Sequence, residues 1–176
     1  MSDEAPVRPG GGPARTAHLR VRTALLVSAA GLAAADLAVK TVAEALLSND
    51  STIELGPLNI RLLYNRGVAF SLGADLPTWA VIAATGVIIT ALLWYTLTTA
   101  PSLTGPSRAG AALLLGGALG NFIDRLDGQG VVDYLHTGWF PTFNLADIFV
   151  TTGVGLLVLG TLFVKPAAPD RAKTEP

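Results

Sequence analysis

Four long apolar runs alternate with shorter polar stretches along the chain, at about residues 21–47, 78–98, 108–126 and 145–164. An α-helix needs about 20 residues to cross the apolar core of a bilayer, so each run is expected to span. Pro77 suits the opening of the second helix, where an N–H would have no partner anyway. Gly116 and Gly120 in the third run form a small-xxx-small pair, which lets helix backbones approach closely. The expected fold class is mainly α: a polytopic membrane protein with four transmembrane helices.

Between the first and second runs the period changes. Leu58, Ile60, Leu62 and Tyr64 alternate with Asn59, Arg61, Leu63 and Asn65, which is the period of a strand. Ile53-Glu54-Leu55 lies just before Gly56-Pro57 and is placed to pair with it across a turn. A small extracytoplasmic β insert is expected over about residues 51–72. It ends in Tyr64-Asn65-Arg66-Gly67-Val68-Ala69-Phe70, with Gly67 where the backbone needs freedom or close approach. Between the third and fourth runs, Gly128-Gln129-Gly130, Gly138 and Pro141 read as a loop. Tyr134, Trp139 and Phe140 are expected to seat that loop at the membrane interface.

Composition agrees with a membrane protein. The chain is 51% hydrophobic and 14% charged, with a mean hydropathy of +0.51, whereas soluble domains carry about 25% charged residues. A net charge of -1 excludes a basic footprint for nucleic acid. The absence of cysteine removes disulfides, thiolate metal sites and cysteine nucleophiles together.

The ends read as polar tails, 1–20 and 166–176, flanking a membrane domain at 21–165. Met1 to Ala17, rich in Pro, Gly and Arg, reads as disordered. Arg15, Arg20 and Arg22 at one end, and Lys165, Arg171 and Lys173 at the other, place both termini in the cytoplasm by the positive-inside rule. A cleaved secretory signal ending at Ala33-Ala34-Ala35 is the minor alternative. With four spans, the first and third connections face outward together.

The candidate chemistry is acidic. Ionisable groups at the edge of lipid are costly and are functional candidates by default. Asp36 and Lys40 lie i, i+4 on one helix face and read as an intrahelical ion pair. Asn121, Asp124 and Arg125 share a face at the end of the third run, with Asp124 and Arg125 read as a structural pair. Asp147 follows Asn144 by three residues, the spacing of a capping box with Asn144 as N-cap. A helix N-terminus favours an ionised carboxylate, so capping and catalysis are compatible there. Asp133, fourteen positions earlier, is expected to meet Asp147 across the loop. Two carboxylates in a half-dry site do not both ionise readily, which yields one base and one acid. His136 with loop aspartates is a poor ligand set for zinc, and no metal is expected.

At these residues the chain resembles the lipoprotein signal peptidases (signal peptidase II), a family of bacterial membrane aspartyl peptidases. Asp36-Leu-Ala-Val-Lys40 is similar to the family's first-helix motif, and Asn65-Arg-Gly67-Val-Ala-Phe70 to its Asn-x-Gly-x-Ala-Phe motif. Gly120-Asn121-Phe-Ile-Asp124-Arg125 and Gly130-Val-Val-Asp133-Tyr134 resemble the third block, with Tyr134 where Phe is common. Phe140-Pro-Thr-Phe-Asn144-Leu-Ala146-Asp147 resembles the fourth. The resemblance covers about Asp36 to Val164. It implies cleavage of diacylglyceryl-modified prolipoproteins just before the lipidated cysteine, and inhibition by globomycin. It makes Asp133 and Asp147 the catalytic dyad. It makes Asp36, Lys40, Asn65, Gly67, Asn121, Asp124, Arg125, Asn144 and Ala146 substrate-binding or supporting residues. It implies no cofactor, a monomer, and a site near the outer face of the cytoplasmic membrane. The alternative from another class is a small ion or proton transporter, which needs polar groups through the membrane depth. The second run has no ionisable residue between Trp79 and Leu97.

Overall fold

The computed structural model describes residues 12–47, 51–67 and 76–162. Its four helices are α1 (Pro13–Leu47), α2 (Thr78–Thr99), α3 (Gly105–Arg125) and α4 (Leu145–Leu162). Val68, Ala69 and Phe70 of the second motif, and the basic residues of the C-terminal tail, lie outside the described residues.

Glycine makes α3 the central helix, packed against α1, α2 and α4. A Cβ on Gly116 would sit 2.7 Å from the Leu32 Cβ and 2.8 Å from the Ala29 carbonyl of α1. One on Gly117 would sit 2.5 Å from the Ala146 carbonyl of α4. The close packing expected of Gly116 and Gly120 is present against α1, where a Cβ on Gly120 would sit 2.5 Å from Asp36 Oδ2, and Gly117 adds a second close approach, to α4. Leu25, Ala29, Ala100, Ala111, Ala112 and Leu115 form the buried core of this bundle.

By length and composition, α1, α2 and α4 are apolar enough to cross a membrane, and α3 is not among them. Its glycines and its polar ends, Arg108, Asp124 and Arg125, dilute an otherwise apolar run. Arg108 lies in the first turns of α3 and donates from Nε to the Ala100 carbonyl (3.1 Å) and from Nη2 to the Pro101 carbonyl (3.0 Å), closing the end of α2.

One boundary moves. α1 starts at Pro13, so residues 13–20 of the stretch read as a tail are helical, including Arg15, His18 and Arg20. Proline is at home in a first helical turn and nothing between it and Val21 breaks a helix. The helix simply outlasts its apolar stripe.

The insert forms the expected antiparallel pair, β1 (Ile53–Glu54) with β2 (Asn59–Asn65), in the register Ile53 to Ile60. A third strand, β3 (Val131–His136), pairs with β2 antiparallel and completes a sheet of order β1-β2-β3. This corrects the loop expected at those positions. Val131 to Tyr134 are buried on both faces, so the run does not alternate, although its β-branched and aromatic content suits a strand. Gly130 enters β3 at φ +110°, and a Cβ there would lie 2.7 Å from the Asn65 carbonyl. Only glycine fits both demands.

Ala43, Leu47, Val132 and Tyr134 form a second core where α1 meets the sheet. Tyr134 therefore does not anchor at the interface. It is 6% exposed, and its hydroxyl accepts from the Leu145 N–H at 3.2 Å. Trp139, 84% exposed, packs edge-on against Phe140 at 5.6 Å between ring centres.

Candidate active site

The site begins at the N-terminus of α4, where orphan N–H groups need acceptors. Asn144 accepts from the Asp147 N–H through Oδ1 at 3.0 Å, and Asp147 Oδ2 accepts from the Asn144 N–H at 3.2 Å. The expected reciprocal cap is present. It leaves Asp147 Oδ1 free to accept from Asn121 Nδ2 at 2.9 Å.

Asp133 arrives from β3, opposite Leu63 of β2. It is 2% exposed. Its Oδ1 accepts from Asn144 Nδ2 at 2.7 Å and its Oδ2 from Asn65 Nδ2 at 3.1 Å. Asn144 Nδ2 also donates to Asn121 Oδ1 at 3.0 Å. The two aspartates are thus joined through Asn144 and Asn121. Burial, and next the negative charge of Asp147, push Asp133 from 3.8 up to about 6, against the N–H donors of Asn65 and Asn144 and the charge of Lys40.

Beneath this pair lies a buried ion cluster. The Lys40 ammonium is 2.8 Å from Asp36 Oδ2, from Asp124 Oδ2 and from Asn121 Oδ1. The Asp36–Lys40 pair is therefore no boundary ion pair on a helix surface: Asp36 is 0% and Lys40 2% exposed. Gly120 admits it, since a Cβ there would lie 2.5 Å from Asp36 Oδ2. Asp36 Oδ1 accepts from the Ala146 N–H at 2.9 Å, and Asp124 Oδ2 from the Val132 N–H at 3.1 Å. Ala146 is fully buried, its carbonyl side filled by the approach of Gly117.

The Asp124–Arg125 pair expected from adjacency does not form, because neighbours on a helix point about 100° apart. Asp124 takes Lys40 as its cation. Arg125 donates from Nη1 to the Asn121 carbonyl at 2.7 Å and from Nη2 to the Gly67 carbonyl at 2.9 Å. Gly67 also donates its N–H to Asn65 Oδ1 at 3.0 Å. Its place thus reflects close backbone approach on both sides.

Asp133, Asp147, Asn65, Asn121 and Arg125 all line one cavity of about 790 Å³. Ile148, Val150 and Thr151 carry its wall along α4, and Phe140 and Phe143 close another side. Arg61, His136 and Thr142 also line it, with Arg61 Nη2 3.5 Å and His136 Nδ1 3.2 Å from Thr142 Oγ1. Arg61 and Thr142 are not among the site residues expected from the sequence, and the sequence does not place His136 at the carboxylate pair. The strand period places Arg61 on the face of Leu63 and Asn65, which also line the cavity, so alternation marks it; Thr142 lies between β3 and α4, where no period marks it.

A buried acid held near neutrality beside a second acid, on the wall of an apolar cavity at the end of a helical bundle, is suited to hydrolysis by proton transfer. A model of the family described as signal peptidase (SPase) II matches residues 28–163. A lipoprotein signal peptidase of Francisella tularensis subsp. novicida is 36% identical over 155 residues, covering 84% of this chain and 96% of that protein. One of Brucella ovis is 40% identical over 129 residues, covering 70% and 80%. A bacterial membrane enzyme solved at 2.3 Å superposes with a TM-score of 0.70 at 28% identity, over 80% of this chain and 88% of that one. Another, solved at 1.9 Å, gives 0.68 at 28% identity, over 81% and 95%. The match spans every element that builds the site, and the chain belongs to the signal peptidase II family.

Proposed function

We propose that Asp133 and Asp147 act as a catalytic pair in removing signal peptides from prolipoproteins. The activity follows from the family; the assignment of the chemistry to these two carboxylates rests on one observation. They face one cavity, are linked through Asn144 and Asn121, and Asp133 is raised to about 6 by burial and the charge of Asp147.

In the form that reacts, Asp133, the acid that burial and the charge of Asp147 raise, holds the proton, and Asp147, at the helix N-terminus, is the base. Asp147 takes a proton from water as its oxygen attacks the scissile carbonyl carbon. Asp133 gives its proton to the carbonyl oxygen, forming a neutral diol. The diol collapses as one hydroxyl proton returns to Asp133, the proton on Asp147 passes to the departing amine, and the C–N bond breaks. Asn65, Asn121 and Asn144 hold the carboxylates; Asp36, Lys40, Asp124 and Arg125 support them. No cofactor enters the scheme.

The protein is a multi-pass protein of the bacterial inner membrane. In the finer topology α3 is the fourth span, both termini are cytoplasmic, and the cavity opens near the outer face. The cavity wall of Ile148 and Val150 along α4 suits an acyl chain, each buried methylene being worth about 0.8 kcal/mol. A monomer contains the whole site. The domain is 21–165 with polar tails, and the exposed Trp79 and Trp94 sit at the two interfaces. A proton path through the membrane has less support, since the ionisable groups of the site gather at one end of the bundle.

The test is incubation of the purified protein with a diacylglyceryl-modified prolipoprotein, followed by mass analysis. The expected product begins at the lipidated cysteine. Equal cleavage of the unlipidated precursor would count against lipid recognition.

A further inference from the structure

Three asparagine amides serve the two carboxylates, and each faces a group that can only donate. The Gly67 N–H points at Asn65 Oδ1 (3.0 Å), the Asp147 N–H at Asn144 Oδ1 (3.0 Å), and the Lys40 ammonium at Asn121 Oδ1 (2.8 Å). None of these donors has a lone pair. Each amide must turn its oxygen toward its donor and its NH2 the other way. The NH2 groups then fall on Asp133 Oδ2, Asp133 Oδ1 and Asp147 Oδ1 respectively. Two of the three anchors are backbone. The third rests on side chains: Lys40, and the Asn144 NH2, which donates to the same Asn121 oxygen at 3.0 Å.

The Lys40 ammonium lies 2.8 Å from three acceptors: it donates a hydrogen bond to Asn121 Oδ1 and forms ion pairs with Asp36 and Asp124. Its two carboxylates are themselves held by the chain that carries the catalytic pair. Asp36 accepts from Ala146, beside Asp147, and Asp124 accepts from Val132, beside Asp133. The ammonium therefore sits at the joint of α1, α3, α4 and β3.

We propose that Lys40 is a positioning residue for the hydrolysis: its ammonium holds the Asn121 amide in the one orientation that presents an N–H to Asp147. Turned over, Asn121 would set its oxygen against Asp147 Oδ1. That meeting of lone pairs is relieved only by a proton on Asp147, and a protonated Asp147 does not accept one from water. The inference rests on the two-aspartate reading. The charged groups around Asn121 are Asp36 and Lys40 of α1, Asp124 and Arg125 of α3, Asp133 of β3 and Asp147 of α4.

The test compares Lys40→Met, which removes the donor, with Lys40→Gln, which keeps an N–H donor without charge. Both are made in an Asp124→Asn protein, so that the net charge of the buried cluster stays that of the native one. Relative to Asp124→Asn alone, Lys40→Met should lower kcat about ten- to a hundredfold, the worth of one hydrogen bond to a charged group. KM should hold, the acid limb of the pH profile should move to higher pH, and Lys40→Gln should recover most of the rate. Adding Lys40→Met to Asn121→Ala should cost nothing further. Unchanged kcat in Lys40→Met, equal losses in the Met and Gln variants, or a full added loss on Asn121→Ala would each overturn the proposal. The orientation is also read without activity and without a Lys40 variant. In the native protein in detergent micelles, the side-chain NH2 resonances of Asn121 should move as Asp147 titrates and stop moving in Asp147→Asn. Resonances that ignore Asp147 would overturn the proposal even if the dyad stands. Full turnover by Asp133→Asn or Asp147→Asn would remove the dyad while leaving this orientation measurable.

Discussion

α2 and α3 are of nearly equal length and play opposite parts. α2 is apolar from end to end and buries only Val81 and Thr96. α3 is less apolar, yet buries eight residues, four of them glycine. Val87 of α2 is 69% exposed, whereas a single added carbon on Gly117 of α3 would strike the backbone of α4. Hydropathy therefore reports which helix faces lipid, and small residues with polar ends report which one faces protein. The helix that supplies Asn121, Asp124 and Arg125 is the one that looks least like a membrane span.

The contrast is sharpest at the chemistry held beneath α3. Asp133→Asn and Asp147→Asn each keep the shape of the side chain and remove the acid. Each should lower turnover about a thousandfold or more, the upper range for a proton-transfer group, with the protein still folded and still binding substrate. Near-normal cleavage of a lipidated prolipoprotein by either variant would refute the two-aspartate mechanism.

Packing comes next. Gly117→Leu should destabilise the protein by about 3 kcal/mol or more, because the nearest atoms are the Ala146 carbonyl, the Val150 side chain and the Phe149 Cβ, all on α4. Since Ala146 adjoins Asp147, activity should fall with it. Thermal unfolding in detergent beside the cleavage assay would show this, and an unshifted midpoint would break the picture of α3 as the clamped helix.

Asp133 gives a smaller and pH-dependent effect. Its pKa is about 6 in the folded protein and 3.8 unfolded, so the folded state keeps a proton that the unfolded state has released. The stability this group contributes is full below pH 3.8, and it is lost as pH rises through about 6. Removing the acid should therefore stabilise at pH 7 and do nothing favourable at pH 4. A two-unit shift corresponds to about 3 kcal/mol. Asn turns an NH2 toward one of its two donors and gives back about 1 kcal/mol, leaving a net gain of about 2 kcal/mol. Unfolding midpoints of Asp133→Asn and native protein at the two pH values test the sign. A gain that grows toward low pH would contradict it.

At the other extreme, Val87→Ala on the exposed face of α2 should change stability by less than about 0.5 kcal/mol. A large loss in the same unfolding assay would mean that α2 has a partner on that face.

The elements that the chain states by itself are those governed by local period. The second and fourth helices, the β1–β2 pair and the Asn144–Asp147 cap follow from apolar length, alternation and spacing, because each is closed by neighbours within a few positions. The four motifs name most of the polar site for a related reason. Residues of one motif sit on one helix turn or one strand end, so Asp36 with Lys40, and Asn144 with Ala146 and Asp147, arrive together. What joins the motifs is not local. Asp124 chose Lys40, 84 positions away, over adjacent Arg125, because burial demands that each charge meet its opposite in space. β3 was hidden because a strand buried on both faces has no alternation, and its partner β2 lies across two helices. Arg61 reached the cavity by the strand period it shares with Leu63 and Asn65, whereas Thr142 was brought there by the turn between β3 and α4, which no period encodes. The hydrogen-bonding direction of Asn121 was decided last of all, by an ammonium from α1 and an amide from the start of α4. Sequence determines which groups a segment can offer; only the folded chain brings donor to acceptor, and in a site sealed from water that pairing leaves each amide a single orientation.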